Sequence, residues 1–287
     1  MSLSVFLHKT WGLLLLVAAI ACGVISYWQN AVTVPAIKPQ TGLRLQCPTT
    51  ISTNSESYDV YVTDASIAEM AIEKFCNNPV VKRQFGNVNV VVGQNDYDTF
   101  RYINHGVVDL ALVKSNVVEA FGADDIYGFK NIASHPDYSA YFIALREKPE
   151  LTKEFLLGKR IGILDYPSSR SGHIVPKTVL KSLGLTENNV ELNYYNSHQE
   201  LRSALLAGDV DIISSYWGSN DDAILSRNYA TALIDNVSGM QWFLKLQTRN
   251  TDLLCATQQV IQSISDMHPR SYYQNVTMMV ECENVTL

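Results

Sequence analysis

Gly158-Lys-Arg-Ile-Gly-Ile-Leu-Asp-Tyr-Pro-Ser-Ser-Arg-Ser-Gly-His-Ile-Val-Pro176 is the stretch on which the fold turns. It reads as strand, turn, helix. Arg160 to Leu164 is a short apolar run around Ile161 and Ile163, and Asp165, Tyr166 and Pro167 break it. Ser168, Ser169, Arg170, Ser171 and Gly172 then lead into a helix. Its apolar positions are Ile174, Val175, Val179, Leu180 and Leu183, and Gly184 stops it. Pro176 falls near the first turn, where a missing N–H costs little. A helix start leaves backbone N–H groups unpaired and carries partial positive charge. Serine hydroxyls and an arginine beside those groups make an oxyanion cradle. The competing reading makes Ser169 or Ser171 an ordinary N-cap in a polar loop.

Outward from this stretch, the chain repeats one plan on either side. Upstream, Leu43 to Leu45 and Tyr58 to Val62 are short strand candidates. Ser66-Ile-Ala-Glu69 has the form of a capping box, with Asp64 as an alternative helix start. Val88 to Val92 is a valine run of the kind covered on both faces. Tyr97 to His105 reads as a helix, Gly106 ends it, and Val107 to Val113 is the next strand. Downstream, Val190 to Tyr194 alternates like a strand, Ser197-His-Gln-Glu200 is a second capping box, and Leu201, Ala204 and Leu205 form a helix face before Gly208. Val210 to Ser214 follows as a strand. Gly106-Val-Val-Asp109-Leu-Ala-Leu112 thus echoes Gly208-Asp-Val-Asp211-Ile-Ile-Ser214. A generic helix-to-strand junction accounts for those residues but not for the matched order of elements around them.

These elements give an α/β chain of two like lobes, each a mostly parallel sheet flanked by helices. Residues 43–148 with 235–287 form the first lobe, and 149–234 the second. The chain crosses near Arg146 to Leu151 and again near Asn236 to Trp242, a paired crossing that can hinge. Ligands of such sheets bind beyond the strands' carboxyl ends, so the expected cleft lies between the lobes. Asp96, Tyr97, Lys114 and Ser115 reach it from the first lobe. Ser168, Ser169, Arg170, Ser171, His198 and Tyr216 reach it from the second. Lys114 would complement an anion. Tyr58 and Tyr61 belong to an aromatic wall or, more simply, to strand packing.

The pattern Gly-Lys-Arg, apolar strand, Asp-x-Pro-Ser-Ser-x-Ser-Gly-x-x-x-Pro-Lys resembles the phosphonate/phosphate-type periplasmic solute-binding proteins of ABC importers. The resemblance covers about Leu43 to Phe243 in element order and is specific from Gly158 to Trp217. It implies a type II periplasmic-binding-protein fold. It also implies a Ser-Thr-Ser triplet gripping phosphonate oxygens, at positions that here read Ser169, Arg170 and Ser171. Arg170 departs from the family's threonine. The family's histidine before a helix matches Ser197-His198. Near Tyr216, Trp217 and Ser219 no counterpart exists for a group that meets an organic ammonium.

Composition narrows the function. With 287 residues, 47% hydrophobic and 17% charged, the chain is globular rather than disordered. A net charge of −6 with no long basic run argues against nucleic acid. No G-x-S-x-G elbow, metal motif or nucleotide loop appears, so no enzyme, metal or cofactor is expected, although Ser169 or Ser171 with His198 and an aspartate could form a triad. Lys9 precedes an uncharged run over residues 11–28, of spanning length and ended by Trp11, Tyr27 and Trp28. We read residues 1–30 as a signal anchor in the inner membrane and 31–42 as a linker, with the domain in the periplasm. Ala19-Ile20-Ala21 and Cys22 keep open cleavage to a secreted protein or lipidation. Cys47, Cys76, Cys255 and Cys282 permit two disulfides in an exported domain. Neighbours in sequence suggest Cys47–Cys76 and Cys255–Cys282, with other pairings open. Asn236, Asn275 and Asn284 stand in glycosylation sequons, which are frequent by chance and would stay unmodified in a bacterial protein.

The expected function is therefore the capture of a small oxyanion, phosphate- or phosphonate-like, and its delivery to an ABC permease. The alternative is a membrane-anchored sensor or assembly component that uses the same fold on a membrane partner.

Overall fold

The computed structural model describes residue 11 and residues 16–23, 43–49, 54–246 and 250–282. Residues 1–41 and 42–287 are separate units. In the first, Trp11 and residues 16–23 are helical. The rest of the apolar run 11–28 and the linker 31–42 lie outside the described residues. Among the described residues, no helix is long and apolar enough to cross a membrane.

The second unit runs through β1 (Arg44–Pro48), β2 (Ser57–Val62), α1 (Ala65–Asn77), α2 (Pro79–Gln84), β3 (Asn87–Val92), α3 (Asp96–Asn104), β4 (Leu110–Lys114), α4 (Ser115–Phe121), α5 (Ala123–Tyr127) and β5 (Phe129–Ser134). It continues with β6 (Tyr138–Ile143), α6 (Lys153–Leu156), β7 (Arg160–Leu164), a π turn at Arg170–Ile174, α7 (Val175–Ser182), β8 (Glu191–Tyr195), α8 (His198–Ala207), β9 (Ile212–Tyr216) and β10 (Ala230–Val237). It returns through β11 (Met240–Lys245), α9 (Thr251–Met267), α10 (Ser271–Gln274) and β12 (Thr277–Met278).

Two sheets result. The first has the order β1-β3-β2-β4-β11-β5-β12, the second β10-β6-β9-β7-β8. Alternation along the strands sends successive side chains to opposite faces. Val60, Val88, Val90, Leu110 and Leu112 pack with Ile67 and Phe75 of α1 and Ile261 of α9. Tyr61, Val91, Ala111 and Val113 pack on the other face with Ile103 of α3 and Val118 of α4. That is why the valine run of β3 is nearly continuous: both faces are covered. Each fully buried side chain of this size contributes about 1.5–3 kcal/mol. The second sheet is covered in the same way. Phe142, Ile161, Ile163 and Ile212 meet Leu180 of α7 on one face. Ile143, Leu164 and Ile213 meet Leu201 and Leu205 of α8 on the other.

The echoed Gly-x-Val-Asp junctions have one structural role. Asp109 Oδ2 accepts the backbone N–H of Asp59 in β2 at 2.9 Å. Asp211 Oδ2 accepts the backbone N–H of Arg160 in β7 at 3.0 Å. In each lobe the aspartate before one strand ties down the start of its parallel neighbour.

Three expectations need correction. The sheets are mixed, not mostly parallel: β2 pairs in parallel with β3 and β4, and β7 with β8 and β9, but every other pair is antiparallel. The antiparallel strands include those that carry the chain between sheets, β5, β6, β10 and β11. They enter from the other lobe instead of through a crossover helix, so nothing forces them parallel. Second, the first crossing lies between β5 and β6, at residues 135–137, not near Arg146 to Leu151, so residues 138–148 belong with the second sheet. The return is at Ser238 and Gly239, between β10 and β11. Third, Asp64, not Ser66, caps α1, accepting from the Ser66 backbone N–H at 2.9 Å.

The cysteines join as Cys47–Cys76 and Cys255–Cys282, across 29 and 27 residues of sequence. Loops of that length restrict the unfolded chain by about 3.5 kcal/mol each. Cys22 is free and exposed. Tyr58 and Tyr61 are fully buried, with hydroxyls bonded to Thr257 and Thr99, so they are core residues and not a ligand wall.

Candidate functional site

The site forms where β7 and β9 end. After β7 the chain turns at Tyr166-Pro-Ser, and Ser169 Oγ accepts the backbone N–H of Gly172 at 3.2 Å. Ser169 is thus the N-cap of the π turn that opens α7. Gly172 is fixed by space: a Cβ there would sit 2.6 Å from the Leu164 side chain. The extra residue of the π turn holds Ser171 against the sheet, 1% exposed, with its carbonyl accepting from Ser214 Oγ at 2.7 Å.

His198 begins α8 on the opposite face of the sheet. Ser197 caps that helix through the Glu200 N–H, and Glu200 reaches back to the Asn196 N–H at 2.9 Å. His198 Nδ1 bonds Ser215 Oγ at 2.8 Å. Ser171 and His198 therefore hang from consecutive residues of β9, Ser214 and Ser215, and flank its carboxyl end from two faces. Tyr216 follows, edge-on to His198 at 4.7 Å and to Tyr138 at 6.2 Å.

Beneath His198 lies a buried ion pair. Arg202 of α8 grips Asp221 through Nε at 2.6 Å and Nη2 at 2.5 Å. Arg202 also donates to the His198 carbonyl at 3.0 Å, to Ser215 Oγ at 3.2 Å and to the Tyr216 carbonyl at 3.0 Å. One guanidinium so fixes three neighbours of the site. Burial, then the charges of Arg202 and Lys114, push the His198 imidazole down to about 3. It is neutral over the working range, with Nδ1 engaged by Ser215.

The first lobe meets this surface directly. Asp96, the first residue of α3, accepts the Ser168 backbone N–H at 2.8 Å and the Ser168 hydroxyl. Lys114 Nζ donates to Ser168 O at 3.2 Å and Ser168 Oγ at 3.1 Å, and lies 5.0 Å from the Tyr166 ring centroid. Burial, countered by Asp96 and reinforced by Arg170, lowers the Lys114 ammonium to about 8. Burial with the Asp96 charge pushes the Tyr166 hydroxyl up to about 12, against a lowering influence of Thr99 of α3. Arg170 Nη2 donates to Gly239 O at the return crossing, 3.3 Å away. Its Nε is shut off from solvent without a hydrogen-bond partner, as is Asn116 Oδ1 next to Ser115.

Of the residues expected at the cleft, Asp96, Lys114, Ser168, Arg170, Ser171, His198 and Tyr216 come together in this way. Ser169 is spent as a cap. Ser115 opens α4 beside Lys114. Tyr97 is 68% exposed and joins none of the bonds between the lobes among the described residues. Sequence reasoning missed Tyr138, whose hydroxyl lies near Ser171 and is raised in pKa by burial. It also missed Tyr166 and the pairing of Arg202 with Asp221. Tyr138 was lost with the misplaced crossing; Tyr166 was read only as a strand breaker. Among the described residues, no three His, Cys, Asp or Glu side chains gather as a metal ion requires.

Two sheet-based lobes joined by a double crossing, with hydrogen-bond donors where they meet, have the architecture of a solute-binding protein. The profile of the ABC-transporter phosphonate periplasmic substrate-binding proteins matches residues 79–225, and the chain belongs to that family. The family is one of transport proteins that bind substrate in the periplasm. The structure is similar to PhnD1 from Prochlorococcus marinus in complex with methylphosphonate, with TM-score 0.55 and 12% identity over 77% of this chain and 89% of that one. It is similar to a binding-protein component of an ABC phosphonate transporter from Pseudomonas aeruginosa, with TM-score 0.54 and 14% identity over 73% and 75%. It is also similar to the periplasmic aliphatic sulphonate binding protein SsuA from Escherichia coli, with TM-score 0.50 and 18% identity over 74% and 68%. Identities this low speak to the fold alone. No curated protein matches the sequence.

Proposed function

We propose that this protein captures a small tetrahedral oxyanion, phosphonate- or sulfonate-like, between its lobes and presents it to an ABC permease. The observation that carries this is the pair of cations at the cleft. Lys114 keeps a charge that burial disfavours, and Arg170 holds a buried Nε–H with no acceptor. Arg170 adjoins Ser171 in the chain, and Lys114 acts electrostatically on the neutral His198. An oxyanion would accept from Arg170 and Lys114 and relieve the cost of burying each. Bending at residues 135–137 and 238–239 would let the lobes part for entry. We place the domain in the periplasm and read residues 11–28 as its inner-membrane anchor. That apolar run favours a second reading, in which a ligand-responsive domain signals to a membrane partner.

A thermal-shift series with phosphate, sulfate, methylphosphonate and methanesulfonate tests the proposal. At a hundredfold excess over its Kd a true ligand stabilises the fold by about 2.7 kcal/mol. The shift should vanish in a Ser171→Ala, His198→Ala double variant. Failure of all four anions to move the melt would refute oxyanion capture.

A further inference from the structure

Resting on that reading, we propose that the cleft selects singly charged tetrahedral oxyanions over doubly charged ones, and that Asp96 sets this preference. The cradle expected from the sequence has three serines, and the structure spends them unequally. Ser168 gives both its N–H and its hydroxyl to the Asp96 carboxylate, which reaches across from the other lobe. Its remaining lone pairs take the Lys114 ammonium. Ser169 caps the π turn. Ser171 faces the Tyr138 hydroxyl. A carboxylate of the protein thus already holds the donors at the mouth of the cradle.

The charges around Asp96 decide what the ligand brings. Lys114 and Arg170 are the cations, and Asp96 is the carboxylate acting on Lys114. Asp98, on the same helix, faces Tyr166 and Tyr61. Arg202 and Asp221 neutralise each other at 2.5 Å. Tyr138, Tyr166 and Tyr216 are neutral phenols, and His198 is a neutral imidazole. Two cations less Asp96 leave at most one positive charge, and Asp98 near Tyr166 and Asp137 near Arg170 only reduce it, so at most one ligand charge is matched. A second ligand charge finds no free counter-charge, while the desolvation penalty rises as the square of the charge. It would also lie beside Asp96 in a medium of low dielectric.

Calorimetric Kd values for methanesulfonate and methylphosphonate, at one pH below and one above the phosphonate's second ionisation, test this. Methanesulfonate stays singly charged and reports any change in Lys114, so the ratio of the two isolates ligand charge. The affinity of methylphosphonate relative to methanesulfonate should fall at least about tenfold on the second ionisation. Asp96→Asn should remove most of that fall. A ratio that holds or rises in the wild-type protein overturns the inference while leaving oxyanion capture intact, and so does an unchanged ratio in Asp96→Asn. If neither anion binds the wild-type protein, the functional reading itself fails and takes this inference with it. If Asp96→Asn does not fold, the wild-type ratio alone decides.

Discussion

Replacing Lys114 with methionine should stabilise the empty protein and abolish its response to oxyanions. Burial takes the ammonium from its ordinary 10.5 to about 8. Holding the charged form in the fold near neutral pH therefore costs about 3 kcal/mol. Methionine has nearly the same length and no charge, but it loses the bonds from Nζ to Ser168 O and Oγ. Those return about 1 kcal/mol. The net expectation is a gain of about 2 kcal/mol in unfolding free energy for Lys114→Met. The sign of the pH dependence follows from linkage. Between about 8 and 10.5 the unfolded chain binds more protons at this position than the folded one. Stability attributable to Lys114 must then rise with pH across that window and be lowest below it. Urea unfolding of both proteins, with and without methylphosphonate, measures all of this. Wild type should gain on Lys114→Met between neutral pH and about pH 10, and only wild type should be stabilised by the anion. A variant less stable than wild type when empty, or one that still binds methylphosphonate with unchanged Kd, refutes the reasoning.

The remaining expectations concern the supports of the site. His198 folds with its pKa lowered to about 3, so stability should fall as pH drops from about 6.5 toward 3, and His198→Gln should flatten acid unfolding in that window. Asp221→Asn leaves Arg202 buried without its counter-charge and should cost about 3 kcal/mol by urea unfolding. Replacing both by Met and Leu should recover much of that loss and still weaken anion binding, because His198 and Ser215 lose their common anchor. Gly239→Ala puts a Cβ within 2.2 Å of His135 O and 2.5 Å of Pro136 O at the double crossing. It should destabilise by about 2 kcal/mol, and an unchanged melt would show that the two crossing segments are not held as close as the structure has them.

How much the sequence disclosed depended on where local chemistry outweighed tertiary context. The parallel βα units were legible because each has a periodic helix, a glycine stop and an apolar strand; β2, β3, β7, β8 and β9 fall within a few residues of their expected places. The strands β5, β6, β10 and β11 were not. Their pattern is set by two lobes at once: Trp242 is 1% exposed, but Asn131, Gln241 and Ser134 bond one another along the same sheet. Polar residues satisfied by neighbours on adjacent strands do not read as a strand in isolation. In the site, Ser171 and His198 were legible because helix starts carry a sequence signal. The Arg202–Asp221 pair carried none. An arginine inside a helix is usually a solvated residue, and only the fold shows that its partner lies 19 residues away in the loop after β9.

The lobes touch through Asp96–Ser168, Lys114–Ser168 and Arg170–Gly239. These contacts and the buried charge of Lys114 act in opposite directions. Opening would return the ammonium to water and restore its ordinary pKa, so below about pH 8 closure without an anion would carry the whole cost of that charge. An oxyanion removes the cost by supplying the missing negative partner. Ligand-driven closure then needs no new contact between the lobes. It needs only the differential affinity of an anion for the arrangement in which Lys114 is buried, which is the condition any population shift must meet. The alkaline stability of wild type against Lys114→Met measures that same free energy from the proton's side, so the two experiments must agree in magnitude if the lysine is what couples closure to binding.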